Sequence, residues 1–419
     1  MSDGTNLQDV FGIAERVNEH SYINRGGLDD QLRYALNTER HIAVHGASKQ
    51  GKSWLRARLL KEDSSVLVQC QTGATTESIF TDALGALGVR AEIRRTSGSD
   101  FEGTLDFRGS GSVGLHLLGK LGLEIKGGTK GARSRSTELQ PVGQAPANLR
   151  WVARTILASQ KKLIIEDCHY LNDDCLQDLA FVMKAIGGYG LHILIAGIWP
   201  QDHLLTYYNG DLVGRVEDIH LTWNDAELDA VLQAGSRALN IEMSSNLRRM
   251  LVSDAAGNVG LLQQLAEAIC REEGMFSRQR TPQYLTAGPS LARARSIVAD
   301  NMRQRFQAFA ENFDGAVRRR LSSACAPLPI LQVLMDCSDE ELLQGVNSDS
   351  LERRMRDMGA PAMNLSVIGD SLAALGDAHA TMGIRPPVIS YNQHSRKVHI
   401  TDQSLLFFRR YGFPKWPWP

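Results

Sequence analysis

The run Gly46-Ala47-Ser48-Lys49-Gln50-Gly51-Lys52-Ser53 constrains this chain more than any other stretch. It follows a short strand-like segment, His41-Ile42-Ala43-Val44, and opens a helical run from Trp54 to Leu60. G-x-x-x-x-G-K-S between a strand and a helix is a phosphate-binding loop. The two glycines let the backbone wrap so that successive N–H groups face an anion. The start of the following helix adds its positive end to the same point. Lys52 is placed to reach the outer phosphates, and the Ser53 hydroxyl to hold Mg²⁺.

At 419 residues the chain is long enough for two or three domains. A hydrophobic fraction of 43% supports substantial cores. No apolar stretch has membrane-spanning length, and the opening residues carry no secretory signal, so a cytoplasmic protein without a membrane partner is expected. The six cysteines show no metal-ligand spacing and read as reduced core residues. A net charge of −1 says nothing for or against nucleic acid.

Around the loop, strands and helices alternate. An amphipathic helix over 28–36 precedes it. Strands are expected at 65–70, 162–167, 192–196 and 216–221, with helices at 76–87, 147–160 and 173–186. Such alternation implies a parallel sheet covered on both faces. Residues 90–145 differ. Alternating apolar positions, Phe101 to Phe107 and then Val113 to Ile125, read as a β-hairpin or meander ending in a basic loop, Lys126–Arg135. Within it, Gly109–Gly114 matches G-x-G-x-x-G, but no helix follows, so it reads as a hairpin turn. From Asn224, with Glu227 completing a capping box, the pattern is helical to about Phe276. A linker with Thr281-Pro282 and Gly288-Pro289 leads to further helices and a hairpin, Pro387–Tyr391 with Lys397–Ile400. Helices followed by a hairpin suggest a winged helix over roughly 315–412.

Hydrolysis needs acids beside the phosphates. Glu166 and Asp167 end a buried strand, where ligands of open α/β sheets gather. One acid would serve Mg²⁺ and the other would orient the attacking water. His169 and Tyr170 lie just beyond and could touch the outer phosphate or simply pack. Arg215, immediately before the fifth strand, could act on a neighbouring subunit's phosphate or pair with Glu217 or Asp218.

This order of motifs resembles AAA+ P-loop ATPases, and is most similar to bacterial STAND, origin-recognition and transposition-regulator branches. The resemblance rests on Tyr22-Ile23-Asn24-Arg25, the loop Gly46–Ser53, Glu166-Asp167, and Gly257-Asn258-Val259-Gly260 in the helical region. It implies an α/β P-loop NTPase core over 1–223 with a β insertion at 90–145. A helical lid over 224–280 and a linker with a winged-helix domain over 281–419 complete it. It further implies an ATP and Mg²⁺ site in which Tyr22, Ile23, Gly46, Ser48, Lys49, Gln50, Gly51, Lys52, Ser53 and Trp54 surround the nucleotide. Ser53 and Glu166 would serve the metal, with Lys52, Asp167 and the arginine finger Arg215 in catalysis. Two departures point to slow hydrolysis or switching. Gly197-Ile198-Trp199 replaces the usual polar sensor, and the lid motif lacks its arginine and the proline some relatives carry. An Asp as second acid, one methylene shorter than the usual Glu, points the same way.

The resemblance implies an oligomer formed through the ATP site that recruits or activates a protein partner, in antiphage defence or a mobile element. The alternatives are a DNA-binding ATPase that regulates transposition or loading, and a nucleotide sensor that does not hydrolyse. DNA contact would fall to Arg318-Arg319-Arg320, Arg353-Arg354-Arg356, Arg396-Lys397 and Arg409-Arg410, or to the basic loop 126–135. The tail Phe413–Pro419 carries two tryptophans in a Pro-rich stretch and reads as folded back or as a docking peptide.

Overall fold

The computed structural model describes residues 4–14, 16–94, 102–106, 147–199, 201–318, 327–359, 365–373, 383–392 and 395–412. The expected alternation produces a five-stranded parallel sheet: β1 (His41–His45), β2 (Ser65–Gln69), β5 (Lys162–Glu166), β6 (Leu194–Ala196) and β7 (Val216–His220). Their spatial order is β2-β5-β6-β1-β7. β1 therefore lies inside the sheet, between β6 and β7, with every residue buried.

Alternation along the strands feeds two cores. Ala43, Leu163, Ile165 and Ile195 face one side, under α3 (Thr76–Ala86), α4 (Leu149–Ala158) and α5 (Asp173–Gly187). Ile42, Val44, Ile164, Leu194 and Ile219 face the other, under α1 (Leu28–Leu36) and α2 (Lys52–Leu59). Burial on both faces explains strands that read as continuous apolar runs. A separate pair, β3 (Arg90–Arg94) with β4 (Glu102–Asp106), is antiparallel and starts the hairpin expected from residue 90. Val113–Ile125, the glycine run 109–114, the basic loop 126–135, Cys325 and the tail 413–419 lie outside the described residues.

Past the sheet, α6 (Leu204–Tyr208) precedes β7, and the lid follows as α7 (Asp225–Leu239), α8 (Ser245–Ala255) and α9 (Val259–Glu272). Asn224 and Glu227 form the capping box. This region is not wholly helical. Left-handed Asn240 ends α7, and β8 (Ile241–Met243) pairs with β9 (Gln283–Leu285). Ile241 and Met243 are buried and alternate with exposed Glu242, a period of two too short to stand out in sequence.

A 30-residue helix, α10 (Pro289–Arg318), runs into the C-terminal part. There α11 (Pro327–Asp336), α12 (Asp339–Gln344), α13 (Ser348–Asp357), α14 (Leu365–Ala373) and α15 (Ser404–Tyr411) surround a three-stranded antiparallel sheet. Its strands are β10 (Val346–Asn347), β11 (Ile389–Asn392) and β12 (Lys397–Ile400), in the order β10-β12-β11. Lid, α10 and C-terminal part share one core that includes Leu261, Phe306, Phe309 and Phe408. Buried Asp254 joins all three: it accepts from Arg295 at 2.7 Å and from the Tyr411 hydroxyl at 2.7 Å. No described helix is long and apolar enough to cross a membrane.

The N-terminal Leu7, Val10 and Phe11 enter the lid's core. A Cβ built on Gly235 of α7 would lie 2.3 Å from Phe11 Cζ. Gly235→Ala should destabilise the protein by about 1–3 kcal/mol despite alanine's better helix propensity. Phe11→Ala should cost about 3–5 kcal/mol. The double variant should lose less than their sum in denaturant unfolding, because the new methyl enters the vacated space.

Candidate nucleotide-binding site

Because β1 is an interior strand, its C-terminal end must turn away between neighbours. Gly46 does so at φ +140°, and a Cβ there would sit 2.5 Å from the Leu221 carbonyl oxygen, so only glycine fits. Gly51, at φ +86°, precedes α2. Among the described residues no backbone carbonyl bond is seen for the N–H groups of Lys49, Gly51, Lys52 or Ser53. A curl of such donors at a helix start fits a polyphosphate. Ser53 is exposed on the first turn, open to a metal ion. Trp54 turns away and donates its indole N–H to the Ala14 carbonyl at 2.8 Å.

Lys52 folds over the loop, donating to the carbonyls of Ala47 at 2.7 Å and Gly46 at 3.2 Å. Burial pushes its pKa down to about 7, against the opposing pull of Asp167 and Glu166 and with a contribution from Arg25.

The acids take different positions. Glu166 is buried, and Arg56 of α2 holds its carboxylate in a fork, at 3.0 Å and 3.3 Å. Asp167 follows in the left-handed region at φ +60°, a strained position for a non-glycine residue. Burial and the neighbouring Glu166 raise its pKa, and Lys52 opposes them. His169 has a buried Nδ1 with no hydrogen-bond partner among the described residues. Burial, then the charges of Lys52 and Arg385, hold its pKa at about 3, so the ring is neutral. Arg385, from the C-terminal part, lies over the Tyr170 ring at 5.3 Å.

Tyr22 donates its hydroxyl to Asp29 at 2.6 Å, and Ile23 packs on the lid core. Arg25 is buried against Trp223, 3.8 Å from the ring centroid, and donates to the Gln50 carbonyl at 2.8 Å. The helical region over 225–272 meets the loop. Gly260 N–H donates to the Lys49 carbonyl at 3.2 Å, and the Gln50 amide donates to the Gly257 carbonyl at 2.9 Å. Asn258 caps α9, and its side chain reaches the Ser48 carbonyl at 3.5 Å.

The C-terminal part also reaches the loop. Ser48 N–H donates to the Thr401 carbonyl at 3.0 Å, and the Gln50 amide donates to Gln403 Oε1 at 2.7 Å. Sequence reading missed Thr401, Gln403, Arg385 and Arg56. Only Arg56 had a local signal, one turn after Lys52 on the same helix face. The others lie more than three hundred residues from the loop and carry no motif.

Arg215 is exposed before β7, whose first residue pairs with His41 at the start of β1. It therefore stands at the sheet edge opposite the loop, about 13 Å away along the strand at ~3.3 Å per residue, and cannot serve its own chain's loop. Several basic candidates are paired: Arg354 with Glu341, Arg356 with Glu352, and Arg409 and Arg410 with Asp339. Arg319 and Arg320 lie outside the described residues.

No family model and no curated sequence matches this chain. Solved structures do resemble it. A Walker-type ATPase of Pyrococcus abyssi aligns over 93% of this chain and 97% of its own, with TM-score 0.51 and 13% identity. Cdc6p from Pyrobaculum aerophilum aligns over 92% and 93%, with TM-score 0.38 and 12% identity. RuvB from Thermotoga maritima aligns over 94% and 96%, with TM-score 0.37 and 10% identity. The Pyrococcus abyssi likeness, together with the parallel sheet, establishes the fold as that of a P-loop NTPase.

Lys52 gives a direct test. An anion against Lys52 restores its charged form, so binding above pH 7 draws a proton from solvent. Calorimetry of Mg-ATP binding at pH 8, in buffers of different ionisation enthalpy, should show uptake of about one proton. At pH 6 the uptake should vanish, and Lys52→Met should abolish it at pH 8.

Proposed function

We propose that this chain is an ATP-binding, slowly hydrolysing AAA+ ATPase that works as a switch, with its nucleotide site read by the C-terminal part. One observation carries the reading. The loop that would hold ATP is hydrogen-bonded on one side to the lid, through Gly257 and Gly260, and on another to the C-terminal segment, through Thr401 and Gln403. A change at the phosphates thus changes contacts to both parts. The C-terminal helices and three-stranded sheet we read as a winged helix.

Bound Mg-ATP would supply a labile outer phosphate and the cation that neutralises it. The N–H groups of Lys49, Gly51, Lys52 and Ser53 and the Lys52 ammonium hold the phosphates. Ser53 serves the metal. Glu166 can do so once Arg56 releases it, and that exchange slows turnover. Asp167 orients the attacking water. Arg215, remote from its own loop, acts on a neighbour's nucleotide, and this makes assembly through the ATP site a condition of hydrolysis. Tyr22 and Ile23, on the entry segment between core and lid, border the base. The family resemblance alone points to a protein partner in antiphage defence or a mobile element. DNA contact by the C-terminal arginines draws less support, because four of them are held by carboxylates.

The test combines particle size with hydrogen exchange. ATP should enlarge the particle and raise amide exchange at the Ser48 contact, and Lys52→Ala should abolish both. Arg215→Ala should leave binding intact and lower turnover. Asp167→Asn should lower turnover without loss of binding. Gln403→Ala removes a hydrogen bond worth about 0.5–1.5 kcal/mol, so half-maximal response should come at roughly 2- to 10-fold less ATP. A particle whose size and exchange ignore ATP would overturn the switch.

A further inference from the structure

A second cluster sits beside the loop, at the same sheet edge, and nothing in the nucleotide chemistry uses it. His45 ends β1 and His220 ends β7, and the two rings stack with centroids 4.5 Å apart. Asp202, from the segment between β6 and α6, reaches both. Its Oδ1 lies 2.9 Å from His220 Nδ1 and 3.6 Å from His45 Nε2. Asp218 Oδ1 lies 3.2 Å from His45 Nε2, and its other oxygen is 3.2 Å from His203 Nδ1.

The protons of this cluster do not balance. His45 is fully buried, and its Nδ1 lies 3.1 Å from the Trp199 carbonyl oxygen. A carbonyl can only accept, so Nδ1 carries the ring's hydrogen and Nε2 presents a lone pair. That lone pair faces two carboxylates, which are acceptors as well, and Nε2 makes no hydrogen bond to any described residue. A fully buried ring would need a second proton there, or a cation must fill the gap.

We infer that His45 Nε2, His220 Nδ1 and Asp202 hold a divalent transition-metal ion of the zinc class, with the exposed side of Asp202 leaving room for water as a further donor. Donor atoms around tetrahedral zinc, with bonds of about 2.0–2.1 Å, stand about 3.3 Å apart. The separations of 2.9 and 3.6 Å from Asp202 to the two rings bracket that value. Imidazole with carboxylate suits zinc, cobalt or nickel better than magnesium. The Nδ1–H of His45 on a backbone carbonyl is the outer support that metal-bound histidines commonly have. Asp202 is 60% exposed, which leaves an entry path. The ion ties β1, β7 and the segment after β6 together one residue before Gly46, whose close contact is with Leu221, the residue after His220.

The full-length protein, stripped with chelator, is titrated with Zn²⁺ and with Co²⁺ in the absence of nucleotide. One equivalent should bind, and cobalt should give the visible spectrum of a low-coordinate nitrogen–oxygen site without a thiolate band. His220→Ala and Asp202→Asn change partly exposed residues, and folding is checked by thermal melting. Each should weaken binding by about 100-fold or more. His192→Ala, a histidine outside the cluster, should not. Substoichiometric uptake by the wild type would overturn the site, as would uptake unchanged in both variants or a cobalt spectrum dominated by thiolate.

Discussion

Gln50 is the residue on which the arrangement turns. Its carbonyl accepts from Arg25 at 2.8 Å and from the Trp223 indole at 3.2 Å. Its amide donates to the Gly257 carbonyl at 2.9 Å and to Gln403 at 2.7 Å. One side chain and one peptide thus connect the entry segment, the start of the lid, its second turn and the C-terminal part. Gln50 is 2% exposed, so each lost partner leaves a polar atom without water to replace it. The loop cannot move by a fraction of an ångström and leave its neighbours as they were. A buried network of this kind tends to hold one arrangement, because each change of partner is felt by all the others.

Charge around the loop reinforces the point. Lys52 is held over its own carbonyls and Glu166 is held by Arg56, so both groups that would meet a magnesium triphosphate are already engaged within the chain. Ligand binding exchanges these contacts for new ones, and only the difference drives the change. Part of the affinity for such a ligand is therefore diverted into reorganisation.

The sheet was largely legible in the sequence, because its interior strands β1, β5 and β6 are buried on both faces and read as apolar runs between helices of distinct period. The order of the strands was not. It arises from pairings such as Ile42 with Leu194 and Ala43 with Asp218, more than a hundred and fifty residues apart. The loop was legible through its glycines and Lys52, whose spacing is fixed by contact with phosphate. Gln50 occupies a position that the motif leaves open, so its joining role was invisible. Thr401 and Gln403 were equally hidden, because a backbone carbonyl leaves no mark on residue choice and a lone glutamine carries no pattern. His45 shows the opposite difficulty. It stands in an apolar strand, where a buried histidine passes for core, and its meaning appears only when Asp202 and His220 are seen beside it.

The two sites share a geometric origin. An interior parallel strand ending in a tight glycine turn forces the adjacent strand's backbone into contact, here Leu221 against Gly46. That contact fixes the loop's first peptide, and the residues just before it on the two strands, His45 and His220, are brought into register as a pair. Whatever holds those side chains together restrains the hinge from which the loop departs. A bound ion would do so by directed bonds that also fix the segment carrying Asp202. That segment follows β6, where the expected polar sensor is replaced by Gly197 and Trp199, and Trp199 stacks on His45 at 5.4 Å. Trp199 thereby joins the segment after β6 to the base of the loop.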